Sequence, residues 1–247
     1  MNKTSPLSIM FRAHFKIDLV SPPTLDDDLA KLFEFRQHLR QLSPNLAEWF
    51  LGGDTKEQAY LYAAFDESGP TTAIAAVLRE KYRNKQSSII SRPIGLWNGE
   101  TGAMGATMGQ LYREIKNPSL VDFDTRVADF LEYPKVLSTT LKMVDIWNPL
   151  FVSVEPTFYE PVFKDRPGVG WMLYLPQVLT LQQVPEARAL VPVMGKDAKG
   201  RARQVGTVIV SVTDAPFSDL NPEHVRIANA IEIRLVDQDM LPRFVDL

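Results

Sequence analysis

Glu114-Ile115-Lys116 is the stretch whose residue types and spacing come nearest to a reaction. On a strand, residues two apart point to the same side, so an acidic-x-Lys pattern would bring a carboxylate and an ammonium to one scissile phosphate, as in metal-dependent nucleases. An earlier acid, such as Glu100 or Asp66, could complete a magnesium site. Three residues in a chain this charged also arise by chance. Asp26, Asp27 and Asp28 form the other acidic cluster. They could hold a cation, but they fall in the first turn of a helix, where carboxylates stabilise the macrodipole.

Other chemistries lack their parts. The chain has no cysteine, which excludes disulfides, thiolate metal sites and a cysteine nucleophile. His14, His38 and His224 lie far apart, with no His-Glu-x-x-His pattern, and no Gly-x-Ser-x-Gly elbow is present. Gly102, Gly105 and Gly109 lack the Gly-Lys-Ser/Thr ending of a phosphate loop and suit a bent or bulged strand instead. No catalytic residue, cofactor or metal is therefore expected.

The elements that would position side chains can be read from periodicity. Ile9 to Leu19 alternates apolar and polar residues, the pattern of a half-buried strand. After Ser21-Pro22-Pro23-Thr24, an apolar face from Leu25 to Leu42 predicts a helix. Ser43-Pro44-Asn45 predicts a short amphipathic helix ending at Gly52-Gly53, and Asp54 and Thr55 are candidate caps for another running to about Tyr62. Thr71 to Leu78 fits a strand or a helix equally well. Ile94-Gly95-Leu96-Trp97-Asn98-Gly99 reads as a buried strand closing in a type I′ turn.

Leu111 to Ile115 and Leu120 to Phe123 are short strand candidates. Tyr133-Pro134 opens a helix that Asn148-Pro149 ends. Strands are expected at Phe151 to Glu155, Met172 to Pro176, Leu190 to Val193 and Gln204 to Val212, with loop or edge structure from Pro156 to Pro167 and a basic hairpin loop over Gly195 to Gly200. Asn221-Pro222-Glu223 opens the final helix. There is no internal repeat or clear linker. The resulting class is α+β: a single domain over 1–247 with a mostly antiparallel, twisted sheet flanked by helices.

Composition agrees with a globular chain, since hydrophobic residues make up 45% and charged residues 23%. Net charge is −3, which argues against a dominant basic field for nucleic acid. Its distribution is uneven. Residues 1–70 carry 7 basic and 10 acidic side chains, 71–213 carry 17 and 13, and 214–247 carry 3 and 7. No run approaches the roughly 20 apolar residues that span a bilayer. Without cysteines or an apolar leader, cytoplasmic residence is the expectation. Trp49, Trp97, Trp147 and Trp171 each adjoin apolar or turn residues, and each is either a core residue or, if exposed, an interface anchor.

Several segments together resemble the immunity protein 52 family of bacterial polymorphic-toxin systems. They are Leu46-Ala47-Glu48-Trp49-Phe50-Leu51-Gly52-Gly53, Glu57-Gln58-Ala59 leading to Phe65-Asp66, Ile94 to Gly99 with its glycine-bearing continuation, and Gly170-Trp171 with the closing strand and helix. Their order and spacing carry the resemblance over most of the chain. It implies a non-catalytic α+β protein that neutralises a cognate toxin encoded beside it, typically a restriction-endonuclease-like nuclease delivered by type VI or related secretion. The acidic ends could then complement the cationic groove of such a nuclease, and an aromatic patch could instead block toxin assembly. On charge and aromatic character, the partner-binding candidates are Asp26, Asp27, Asp28, Trp49, Glu100, Trp171, Asp237 and Asp239, with no direct nucleic-acid or membrane contact. The alternatives are an effector-linked adaptor or chaperone, and a metal-dependent nuclease built on Glu114 and Lys116.

Overall fold

The structure, a computed structural model, describes residues 7–52, 55–83, 92–113, 118–196 and 199–247. Gly53, Asp54, Glu114, Lys116 and Asp197 lie outside the described residues, and so does the apolar run before Arg92. The class is α+β: among the described residues there are five α-helices and nine strands, and the strand ladders are antiparallel. The chain divides into two compact units, one spanning Phe15–Phe130 and the other Leu7–His14 with Leu131–Leu247.

In the first unit, helix α1 (Leu25–Leu42) begins at Thr24, whose hydroxyl accepts from Asp27 N while the Asp27 carboxylate accepts from Thr24 N, a reciprocal capping box. Its buried face, Leu29, Leu32, Phe35 and Leu39, follows helical spacing. The unit's sheet runs β2 (Phe50–Leu51), β3 (Ile94–Trp97), β4 (Ala106–Leu111) and β5 (Ser119–Thr125). Phe123 on β5 is the centre of an aromatic core, with ring centroids 5.7 Å from Phe35, 6.2 Å from Trp49 and 5.5 Å from Phe130.

Helix α2 (Lys56–Tyr60) is capped by Thr55, which accepts from Gln58 N. Helix α3 (Thr72–Tyr82) settles the ambiguous alanine-rich stretch. Thr71 caps it by accepting from Ile74 N, and Ile74 and Leu78 supply the buried face.

The second unit carries β1 (Ile9–Phe15, through His14), β6 (Phe151–Pro156), β7 (Met172–Leu175), β9 (Ala202–Val210) and β8 (Ala189–Lys196), hydrogen-bonded in that order. Helix α4 (Tyr133–Trp147) ends on left-handed Asn148, and α5 (Pro222–Asp237) starts from Asn221, whose side chain accepts from Glu223 N. Both termini stand where the sequence places them.

Four local expectations change. The first strand stops at Phe15 and not Leu19, because the Asp18 carboxylate turns the chain by accepting from Val20 N at 2.8 Å. The amphipathic helix after Ser43 is only a 3-10 turn at Pro44–Leu46, followed by β2. Side chains take its carbonyls: Asn98 Nδ2 donates to Asn45 O, Trp49 Nε1 to Leu46 O and Arg36 Nε to Ala47 O, so no helical ladder continues. Asn98-Gly99 is not a two-residue turn. Gly99 has φ +81°, but the connection runs from 98 to 105, and buried Asn98 organises it by donating to Met104 O and accepting from Ala106 N. Finally, of the strand expected at Leu111 to Ile115, Leu111 ends β4 (Ala106–Leu111), Tyr112 and Arg113 are not strand, and Glu114 and Ile115 lie outside the described residues.

Candidate interaction surface

Strand β2 places its residues by simple alternation. Trp49 and Leu51 are buried, so Phe50 between them turns to the opposite face, where register pairs it with Trp97 of β3. The returning chain closes the other side of β2, with Leu51 N donating to Tyr62 O and Ala64 N to Trp49 O. This brings the end of α2 over the exposed face. Tyr60 lies edge-on to Phe50 with centroids 5.0 Å apart, and 5.6 Å from Trp97.

The Tyr60 hydroxyl donates to Gly99 O at 2.6 Å, which fixes the ring. A Cβ on Gly99 would stand 3.0 Å from Phe50 Cε2 and 3.2 Å from Tyr60 Cε1, so glycine lets the backbone pass against both rings. Tyr60 remains 42% exposed, Leu61 70% and Tyr62 36%. Trp97 Nε1 is buried and meets no acceptor among the described residues. An aromatic edge of this kind can bury against another protein.

Of the eight sequence-predicted residues, three are buried and five are exposed. Asp28 is fully buried: its carboxylate accepts from Arg92 Nε and Nη2 at 3.1 and 2.9 Å and from the Tyr112 hydroxyl. Burial raises its carboxyl above the usual range, against the opposing pull of Tyr112 and Arg92, and burial with the Asp28 charge raises the Tyr112 phenol. Trp49 and Trp171 are also buried, and each spends its indole donor inside its own unit, on Leu46 O and Val212 O. These three cannot touch a partner of the folded chain, because the cores they complete lie over them.

Asp26, Asp27, Glu100, Asp237 and Asp239 are exposed. Asp26 pairs with Arg79 at 2.7 Å beside a groove of 370 Å³ lined by Leu29, Ala30, Thr71 and Ala75. Glu100 adjoins Gly99, which makes it the predicted residue next to the aromatic edge. Phe50, Tyr60, Leu61 and Tyr62 were not singled out by sequence. Trp49, Phe50 and Leu51 are all apolar, so the sequence carries no alternation that would mark Phe50, and only burial separates it from its two neighbours.

The second unit holds two buried acids that sequence reasoning also passed over. Glu155 on β6 accepts from Arg12 Nη1 at 3.1 Å through Oε1, while its Oε2 is buried and unpartnered among the described residues. Burial pushes this carboxyl up to about 7, with Arg12 opposing the rise and Glu232 adding to it. Glu232 on α5 accepts from the Tyr159 hydroxyl, Val162 N and Val169 N at 2.7, 2.7 and 2.9 Å, fastening the loop before β7. An acid beside Ile231 and near Leu235 on a buried helix face was the available signal.

Among the described residues no group of three or more His, Cys, Asp or Glu side chains is placed to hold an ion. His14 stacks on Phe151 at 4.5 Å, and His224 Nδ1 accepts from Ser218 N. Asp66, one of the acids considered for magnesium, spends an oxygen on Ser68 and Gly69 amides in a turn.

No curated protein matches this chain. Among solved structures, the Pseudomonas aeruginosa T6SS protein PA0821 is similar at 11% identity, covering 92% of this chain and 72% of that one, with a TM-score of 0.49. The model of the family described as immunity protein 52 matches residues 25–243, a span that takes in the aromatic edge, the buried acids Asp28, Glu155 and Glu232, and helices α1 to α5. The chain belongs to the immunity protein 52 family.

Proposed function

We propose that residues 1–247 act as one immunity-type domain, without catalysis of its own, that binds and neutralises a cognate toxin encoded beside it. The toxin is a restriction-endonuclease-like nuclease delivered by type VI or a related secretion route, and the encounter takes place in the cytoplasm of the protected cell. The observation that carries this reading is the family match over residues 25–243. Exposed Asp26, Asp27, Glu100, Asp237 and Asp239 support the choice of a cationic partner, because carboxylates can stand in for the phosphates that a nuclease groove is built to hold. Binding needs neither nucleic acid nor a membrane, and no helix among the described residues is long and apolar enough to cross one.

The test is co-expression with the nuclease encoded next to it, scored for host survival and co-purification. Survival together with a stable complex is the expected outcome. Survival without a complex would turn the reading towards an indirect or enzymatic route. A complex without survival would make the chain an adaptor that holds the effector's delivery region.

A further inference from the structure

Resting on the immunity reading, we propose that the toxin docks on the edge of the first unit formed by Phe50, Tyr60, Leu61, Tyr62 and Trp97, with Glu57 and Glu100 as an acidic rim. The surface it accepts is apolar at its centre and cationic around it.

Single exposed apolar side chains are ordinary on a protein surface, and Phe158, 81% exposed between Thr157 and buried Tyr159, is one. The edge of the first unit is different. Tyr60-Leu61-Tyr62 are three consecutive exposed residues, and the first of them packs on the two half-buried rings of Phe50 and Trp97. Contiguous apolar surface of that sort marks an interaction site, and tyrosine and tryptophan carry a large share of interface energy.

The rings are also held before any partner arrives. Tyr60 is tied to Gly99 O and packed against Phe50 and Trp97, so docking on it costs little side-chain ordering. The Trp97 indole donor, without an acceptor among the described residues, lies in the same cluster.

Charge selects the partner. In sequence, residues 50–62 and 94–104 carry three acids, Asp54, Glu57 and Glu100, against one cation, Lys56. Glu57 and Glu100 are exposed. A rim of this sign repels an acidic surface and attracts a nuclease surface rich in lysine and arginine.

The experiment measures toxin affinity for the full-length chain by titration calorimetry, comparing Leu61→Lys, Tyr62→Lys and Phe158→Lys with the unsubstituted protein. Each substitution adds a cation at an exposed position, so thermal unfolding should stay unchanged. The two edge variants should each weaken binding by about tenfold or more, and Phe158→Lys should leave it unchanged. The double variant Glu57→Lys with Glu100→Lys reads the rim separately, and its loss of affinity should shrink as salt is raised.

Tight binding by the unsubstituted chain with all edge variants unimpaired would overturn the docking surface and leave the immunity reading standing. So would an equal loss from Phe158→Lys. If the chain forms a dimer that Leu61→Lys dissociates while toxin affinity holds, the edge belongs to a second copy and the proposal falls. No binding by the unsubstituted chain would remove the immunity reading and this surface with it.

Discussion

A single carboxylate shows how burial, and not residue type, decides what a side chain does. Glu155 has one cationic neighbour, Arg12, itself part-exposed, and it meets the backbone of the loop before β7 so closely that a Cβ on Gly168 would stand 2.8 Å from its Oε2. Its carboxyl is raised from 4.5 to about 7. The folded chain therefore keeps a proton that the unfolded chain gives up near 4.5. The associated stability is fully present below 4.5 and is lost as pH rises through about 7. Glu155→Gln keeps the shape without the charge. In urea unfolding, its stability relative to the unsubstituted protein should improve by roughly 2–3 kcal/mol between about pH 5 and pH 8. Parallel pH profiles would show that this carboxyl is not raised. None of this was legible in Val154-Glu155-Pro156, since the charges that act on it, Arg12 opposing the rise and Glu232 adding to it, come from β1 and α5, far along the chain.

At the scale of elements, local chemistry was a good guide wherever it faced no competitor. Thr55, Asn148 and Asn221 mark helix ends as their side chains allow. The same reasoning failed between Ser43 and Leu51, where Arg36, Trp49 and Asn98 take the carbonyls a helix would use. Sheet packing supplies a sharper test at Gly206 on β9. A Cβ there would overlap Tyr174 Cε2 and stand 2.7 Å from Leu175 O on the neighbouring strand β7. Backbone oxygen cannot yield as a side-chain tip can, so Gly206→Ala should cost about 1–3 kcal/mol in denaturant unfolding. Gly95 on β3, with nothing within 4 Å of the added Cβ, is the control and should tolerate alanine with little change. Equal effects at the two glycines would mean that β7 and β9 are less tightly packed than this.

At the scale of the whole molecule, function depends on which charges reach solvent. The net charge of −3 is small, and one acid of the Asp26-Asp27-Asp28 run is spent inside the first unit on Arg92 and Tyr112. The surface acids that remain are the ones that can steer a cationic partner. Neutralising Asp26, Asp237 and Asp239 together should slow association with the toxin by about tenfold at low salt, and by less at high salt, with dissociation little altered. Stopped-flow association at several ionic strengths measures this. An unchanged rate and unchanged salt dependence would remove these three acids from the encounter with the toxin.

What the sequence by itself determined is whatever a few neighbouring residues can decide. Helix ends, strand alternation in Ile9 to Phe15 and the order of motifs that marks the immunity family all belong here, because caps and periodicities act over one or two turns. Only the tertiary structure decided which polar and aromatic groups are buried. Asp28 meets Arg92 across 64 residues, and Glu155 meets Arg12 across 143. Trp49 and Phe50 are neighbours in sequence, yet one completes the core and the other pairs with Trp97 on the open face. Burial is set by what the rest of the chain brings to a residue, and residue type and local spacing do not contain that information.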